Sequence, residues 1–254
     1  MTGPFDLMPL LYALAGYLAL QVMLNLGLGL WLNRRGRRPV LMLQATFWSS
    51  VVNGLYFTVA AVLLHIYQLV PNRGLPPATG WWALGGLPLG VLLWYLTAQA
   101  RRLGLALFGK GELIASEDAV LTFPPSPRYL GWGVANLTVI QPLGRELFMR
   151  GAFLPAVIAT FGWGWALASL LVVELLLKLN VVWLLQTVLY TLFMCALFYF
   201  SGSALAGLIA AAVSGLLHAV ALAYLGRKQL ERSSRQRLEE AAAGIQEQDA
   251  AEEE

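Results

Sequence analysis

Charged residues are scarce in this chain of 254 residues, at 12% of the total, whereas 58% of the residues are hydrophobic. A soluble domain carries about 25% charged residues, so the composition excludes an ordinary water-soluble globular protein. Alternation of apolar and polar residues over about ten positions is also lacking, and this excludes the strands of a membrane barrel. Lipid is therefore the solvent that the sequence predicts for most of the chain.

Cysteine and histidine are equally scarce, with one cysteine and two histidines. Cys195 leaves no intrachain disulfide to form and is expected to be a packing residue. One thiol with His65 and His218 does not make a zinc site. We therefore predict no metal and no other cofactor.

Seven long apolar runs stand in the sequence, each near the roughly 20 residues that a helix needs to cross a bilayer. We predict an all-α fold, a polytopic transmembrane helical bundle of about seven spans in one domain, residues 1–226, followed by a charged cytoplasmic tail, residues 227–254. The first run lacks a basic segment before it and is longer than a signal sequence core, so it is expected to be a retained span. The predicted spans are Leu7–Leu32, Val40–Tyr67, Trp81–Ala100, Leu130–Ala159, Gly162–Leu179, Val181–Phe200 and Ser203–Leu225.

Lysine and arginine are unevenly divided between the segments that join these spans. With the N-terminus outside and the C-terminus in the cytoplasm, 13 of the 17 basic residues lie in cytoplasmic segments and only Arg73 lies outside. Cytoplasmic flanks carry such an excess, so we predict this orientation for a multi-pass protein of the cell membrane (plasma or inner membrane). Contact with the lipid bilayer explains these separate basic segments, and no nucleic-acid partner is expected.

Two further segments allow more than one interpretation. Leu103–Phe108, in the longest predicted loop, is interpreted as a short amphipathic or re-entrant piece. The tail is expected to be a solvated helix that frays, with docking to a soluble partner as the alternative. Small residues at close spacing between Gly202 and Gly215 predict either packing inside the bundle or contact with another membrane protein through the last span.

Three charges stand within six residues of the fourth span, at Arg145, Glu146 and Arg150. Each costs about 2.5–3.5 kcal/mol in hydrocarbon even by insertion scales, so these side chains must face protein or water. Glu146 and Arg150 share a helix face because they are four residues apart. Arg145 needs a partner from another helix, and Glu174, four residues before Lys178, is the predicted one. The sequence therefore predicts a structural ion-pair network of these five residues.

The segment from Glu146 to Gly151 resembles the first signature of the CPBP intramembrane endopeptidases, the family of CAAX proteases, bacteriocin-processing enzymes and abortive-infection-like proteins, which reads Glu-Glu-x-x-x-Arg-Gly. Pro142 also fits the family, and the resemblance covers residues 130–225. It implies a site in which a carboxylate activates water as general base and histidines from later helices stabilise the oxyanion. In an active enzyme the catalytic residues would be Glu146, Arg150 and His218.

This chain departs from the family pattern at most catalytic positions. Arg145 stands where the first glutamate belongs, and a guanidinium cannot act as a base. The second and third signatures, Phe-x-x-x-His and His-x-x-x-Asn, match at His218 alone, in a shifted register. The second signature falls on Glu174 and Lys178. The third falls on Ala211 and Gly215 or, in the shifted register, on His218 and Leu222.

We therefore expect a relative of this family without catalytic activity, a pseudoenzyme retained as a membrane binding or assembly protein. The alternative is an active intramembrane endopeptidase with a divergent site. A transporter ranks third, because inverted repeats and paired broken helices are not detectable in the sequence.

Overall fold

Helices make up nearly all of the chain that the computed structural model describes, namely residues 7–35, 39–67, 69, 80–108, 127–178 and 181–224. Side chains are described for these residues except at 35–46, 83, 105, 108, 127–130, 177–178 and 181–183. No strand is present in these ranges, so the all-α prediction is confirmed for them. Of the loop predicted from Arg101 to Arg128, residues 109–126 lie outside the described residues, as does the expected tail at 227–254.

Seven helical segments follow one another along the described chain, and each coincides with one predicted apolar run. They are α1 (Met8–Arg35), α2 (Pro39–Ile66), α3 (Gly80–Phe108), α4 (residues 127–161), α5 (Trp163–Lys178), α6 (Val181–Ser201) and α7 (Ala204–Tyr224). Gly162 and Gly202, with φ of 83° and 66°, lie in the turns after α4 and α6, where glycine adopts positive φ without strain.

The interpretation of Leu103–Phe108 as a separate amphipathic or re-entrant piece is wrong. This segment forms the last turns of α3, which is continuous from Gly80 to Phe108. The physical reason is local: leucine and alanine dominate the segment, and both are strong helix formers. Since the helix has no proline in these turns, nothing breaks its hydrogen-bond ladder there.

Four of the seven helices are long and apolar enough to cross a membrane. These are α1, α2, α6 and α7, with the segments Met8–Arg34, Phe47–Ile66, Leu184–Ser201 and Ala204–Tyr224. A shorter apolar stretch, Trp163–Leu176, lies in α5. Large apolar side chains are exposed along these helices, including Leu18, Met23 and Leu26 on α1, as expected of surfaces that face lipid.

Helix α4 is not a regular α-helix, because two wide π-helical turns interrupt it. These turns span Asn136–Ile140 and Leu147–Phe153. Each is followed by a proline at the start of the next α-helical segment, Pro142 or Pro155. A proline has no N–H, and its ring clashes with the carbonyl four residues earlier. That carbonyl lies in the preceding turn in both cases, and widening the turn relieves the clash.

Helix α4 contacts α2, α5, α6 and α7, and α6 packs against both α3 and α5. The backbones of α2 and α4 come together at Gly54 and Gly144. A Cβ atom at Gly144 would collide with the carbonyl oxygen of Gly54. Only glycine permits this approach, and it places the charged part of α4 in the interior of the bundle.

Candidate functional site

Arg145 forms a bidentate ion pair with Glu174, which joins α4 to α5. Its Nε donates a hydrogen bond to Oε1 of Glu174 at 3.1 Å, and its Nη2 contacts Oε2. The side chain of Glu174 is buried, whereas that of Arg145 keeps 20% of its surface exposed. The contact predicted between Arg145 and Glu174 is therefore confirmed.

Arg150 joins the two carboxylates of the network. Its Nη1 donates to Oε1 of Glu146 and to Oε1 of Glu174, at 3.1 Å in each case. Arg150 is 1% exposed and Glu146 is 0% exposed, so water does not reach either side chain. Two arginines and two glutamates thus form a continuous, neutral chain of ion pairs, Arg145 to Glu174 to Arg150 to Glu146.

Tyr190 on α6 completes the network, and sequence reasoning missed it. Its hydroxyl donates to Oε1 of Glu146 at 2.8 Å. Its ring lies beside both guanidiniums, with the Cζ atoms of Arg145 and Arg150 at 4.1 and 5.6 Å from the ring centroid. The sequence signal that could have indicated it is weak: Gln186 and Tyr190 are four residues apart and therefore share one face of α6.

Part of the network lacks hydrogen-bond partners within the described chain. These atoms are Oε2 of Glu146 and the Nε and Nη2 of Arg150. Oε2 faces α7, where a Cβ atom added at Gly207 would lie 3.5 Å from it. Unsatisfied buried atoms of this kind are costly, and they make the network sensitive to any change in the packing of α7.

The remaining two candidate residues lie in different places. The main chain of Lys178 forms the end of α5, but its side chain lies outside the described side chains, so its predicted pair with Glu174 stays a prediction. His218 lies on α7 and lines a cavity. It does not bond to Glu146, whose Oε1 accepts from Arg150 and Tyr190 and whose Oε2 has no partner among the described residues.

The cavity has a volume of about 340 Å³ and lies between α3, α4, α6 and α7. Arg145 and Tyr190 form part of its wall, so the exposed side of the network faces it. Glu146 and Arg150 are not among the described residues that line it. The cavity therefore reaches the edge of the ion-pair network but is not lined by Glu146, the carboxylate to which the family resemblance would give a catalytic role.

The small residues of α7 pack inside the bundle. A Cβ atom at Gly215 would collide with the carbonyl oxygen of Leu137 on α4. On the α3 side, a Cβ atom at Gly90 would lie 2.7 Å from the carbonyl oxygen of Ala210. These contacts favour the intramolecular interpretation of the small-residue face. Contact with another membrane protein through the last span stays a prediction.

A second polar cluster, also missed from the sequence, holds α4 to α2. Asn136 and Gln141 both donate to the hydroxyl of Ser50, at 3.0 and 2.9 Å, and Gln141 also donates to the carbonyl of Ser50. Asn136 is the first residue of the wide turn Asn136–Ile140, and Gln141 begins the next α-helical segment. The cluster therefore fixes the helix at its first wide turn.

Comparison of the chain with protein-family models, with curated proteins and with solved structures found no match. The interpretation of the site therefore depends on its geometry and on the motif in α4.

Proposed function

We propose that the chain is a seven-span protein of the cell membrane, a relative of the CPBP intramembrane endopeptidases that binds or assembles with other molecules and does not catalyse proteolysis. The N-terminus is outside and the C-terminus is in the cytoplasm. The distribution of arginine and lysine supports this orientation, and the motif around Glu146 and Arg150 supports the relationship.

One observation carries the proposal that the protein is not an enzyme. Glu146, the only glutamate that matches the family motif, is 0% exposed, and its Oε1 accepts hydrogen bonds from Arg150 and Tyr190. A general base must reach the proton of its water, within about 2.6–3.2 Å or through one further water. The described cavity is lined by Arg145 and Tyr190 but not by Glu146, so we infer that Glu146 acts as a structural counter-ion for Arg150.

The alternative is an active endopeptidase that uses Glu146, Arg150 and His218. It is favoured by the wide turn at Leu147–Phe153, since such turns are frequent at functional sites. It is also favoured by the Oε2 atom of Glu146, which is left without a partner in the described chain. Both observations are explained equally by Pro155 and by the close packing at Gly207.

A cleavage assay separates the two functions. Purified full-length protein in lipid vesicles is incubated with a library of membrane-spanning peptides, in parallel with the variants Glu146→Gln and His218→Asn. We expect no cleavage by any of the three proteins. The control variant Tyr199→Phe removes one exposed hydroxyl from α6 and keeps the network intact. Cleavage by wild type and Tyr199→Phe that both site variants lose would establish the active enzyme instead.

The proposed topology has its own test, for which the single cysteine is convenient. Cys195 is buried and can be replaced by serine, after which one cysteine is introduced at Thr2 or at Ser234. In intact cells, we expect an impermeant maleimide to label the first position and to spare the second. Labelling of both or of neither position would contradict an odd number of spans.

A further inference from the structure

The cavity between α3, α4, α6 and α7 combines basic groups with apolar walls. Arg101 and Arg102 from α3, Arg145 from α4 and His218 from α7 all line it. No aspartate or glutamate is among the described lining residues. Because Glu174 already balances the charge of Arg145, the positive charge available to a ligand is that of Arg102. A cavity with this charge selects an anion.

Arg102 is the residue best placed to bind that anion. Its side chain is exposed at the rim of the cavity, and it makes no hydrogen bond or ion pair with any other described residue. A guanidinium offers several donors in a planar arrangement that fits phosphate. The rim therefore offers charge and hydrogen-bond donors for a phosphate group.

Besides its basic groups, the cavity has a polar and an apolar part to its wall. Gln186 lines the polar part, and its Oε1 is buried without a hydrogen-bond partner among the described residues. An acceptor of this kind would receive a hydrogen bond from a ligand hydroxyl. The hydrocarbon part of an amphiphilic ligand would cover the apolar part of the wall, whereas a free inorganic ion would leave it uncovered. Its members include Leu137, Ala211, Ala221 and Leu222.

The size and position of the cavity agree with an amphiphilic ligand. Ligand pockets usually occupy about 300–1,000 Å³, and this cavity has about 340 Å³. In the proposed orientation, most of its lining residues belong to the cytoplasmic halves of their helices. Basic pockets between membrane helices on that side bind anionic lipid head groups.

We propose that the cavity binds the head group of one anionic phospholipid of the cytoplasmic leaflet, with the phosphate at Arg102 and a head-group hydroxyl at Gln186. The inference rests on the proposed function, since it names the ligand of a binding protein and uses the proposed orientation. It assigns Arg145 a double role, as one wall of the lipid site and as the outermost member of the ion-pair network.

The test counts the phospholipid that the full-length protein retains. Protein in phosphatidylcholine nanodiscs with a graded fraction of phosphatidylglycerol is released into the gas phase, and bound lipids are resolved by native mass spectrometry. We expect one phosphatidylglycerol on the wild type, and a loss of affinity of about tenfold or more for Arg102→Gln, because a hydrogen bond to a charged group is removed. Ala98→Leu, which fills the cavity from α3, should weaken binding in the same way.

Arg34→Gln is the matched control, because Arg34 is also exposed near the cytoplasmic end of its helix but does not line the cavity. It should retain the lipid as wild type does, and all variants should share the wild-type melting temperature in pure phosphatidylcholine. Equal loss of phosphatidylglycerol in Arg34→Gln would indicate unspecific charge attraction and overturn the proposal. Unchanged retention of phosphatidylglycerol in Arg102→Gln would overturn it as well.

A second arm distinguishes a lipid from free phosphate. Inorganic phosphate is titrated against the protein in pure phosphatidylcholine nanodiscs, and we expect no saturable rise in melting temperature. A rise that depends on Arg102, without retained phosphatidylglycerol, would overturn the lipid assignment. The cleavage assay does not involve Arg102, so peptide cleavage would overturn the proposed function alone, and failed lipid retention would overturn this inference alone.

Discussion

The hydroxyl of Tyr190 and the guanidinium of Arg150 donate to the same oxygen of Glu146, Oε1. A single carboxylate oxygen therefore links α4 to α6, while the other carboxylate of the network, Glu174, links α4 to α5. The charged part of α4 is thus held from two sides by polar side chains of α5 and α6. Because each polar group of the network has defined partners, its contribution to the free energy of unfolding can be measured by substituting that group alone.

Tyr190→Phe should destabilise the protein by about 1–3 kcal/mol, because it leaves a buried carboxylate oxygen with one donor fewer. The measurement is the midpoint of unfolding in mild detergent. Tyr199→Phe is the control on the same helix, because Tyr199 is exposed and its contacts with other described residues are ring contacts. Equal midpoints for the two variants would show that the hydroxyl of Tyr190 contributes nothing.

Neutralising Glu174 should cost more stability than neutralising Glu146. Glu174 contacts both guanidiniums, whereas Glu146 contacts Arg150 and the neutral Tyr190. Removing one member of a buried pair strands the other at a cost of about 3–5 kcal/mol. We expect Glu174→Gln to lie at the upper end of this range and Glu146→Gln below it. Unfolding midpoints measured in parallel would refute the bridging role of Glu174 if the order were reversed.

Glu146→Ala should lower the amount of protein in the membrane, because Arg150 would keep its charge and lose one of its two carboxylate partners. The quantity to measure is steady-state abundance by immunoblot, relative to a co-expressed membrane protein. Wild-type abundance and unchanged unfolding of this variant would contradict the structural role proposed for Glu146.

Gly144→Ala should separate α2 from α4, because the added Cβ atom would collide with the backbone of Gly54 rather than with a side chain that can move. We expect a loss of at least about 1–3 kcal/mol, typical of overpacking. Gly131→Ala lies on the same helix with nothing within 4 Å of the added atom. This control should be neutral or stabilising by up to about 1 kcal/mol, from helix propensity.

Ser50→Ala should weaken the attachment of α4 to α2 by removing the hydroxyl that accepts from Asn136 and Gln141. The donor of Asn136 would lose its described partner, at a cost of about 1–3 kcal/mol. Ser49→Ala, one position earlier on the same helix, should cost less than about 0.5 kcal/mol. If both serines behave alike in thermal unfolding, the cluster does not hold the helices together.

The helix positions follow from the sequence because the length of an apolar run is a local property. The pairing of Arg145 with Glu174 follows for a different reason. Charges are expensive in hydrocarbon, so the number of eligible partners is small, and Glu174 is the carboxylate of the adjacent span. The number of helices that cross the bilayer does not follow as directly, since the charges and glycines of α4 lower its mean hydropathy.

Tyr190 and Ser50 could not be identified in this way. A tyrosine or a serine costs little in a membrane helix, so its presence does not demand a partner. Which helix face it occupies becomes informative only when the packing of α6 or α2 against α4 is known. The wide turns of α4 could be predicted in part from the sequence, since Pro142 and Pro155 stand in the middle of an apolar run. The sequence does not determine whether the helical turn before each proline kinks or widens.

The division of charge between α4 and α5 has a consequence for how the protein is made. Arg145, Glu146 and Arg150 together bring one excess positive charge into the interior, and Glu174 brings the compensating negative charge. With the spans proposed above, α4 alone would bring Arg145 into the bilayer without its partner, whereas α4 and α5 entering together across the turn at Gly162 would bring Glu174 with it. The proposed topology therefore predicts that the helical hairpin of α4 and α5, and not α4 alone, is the unit that inserts into the membrane.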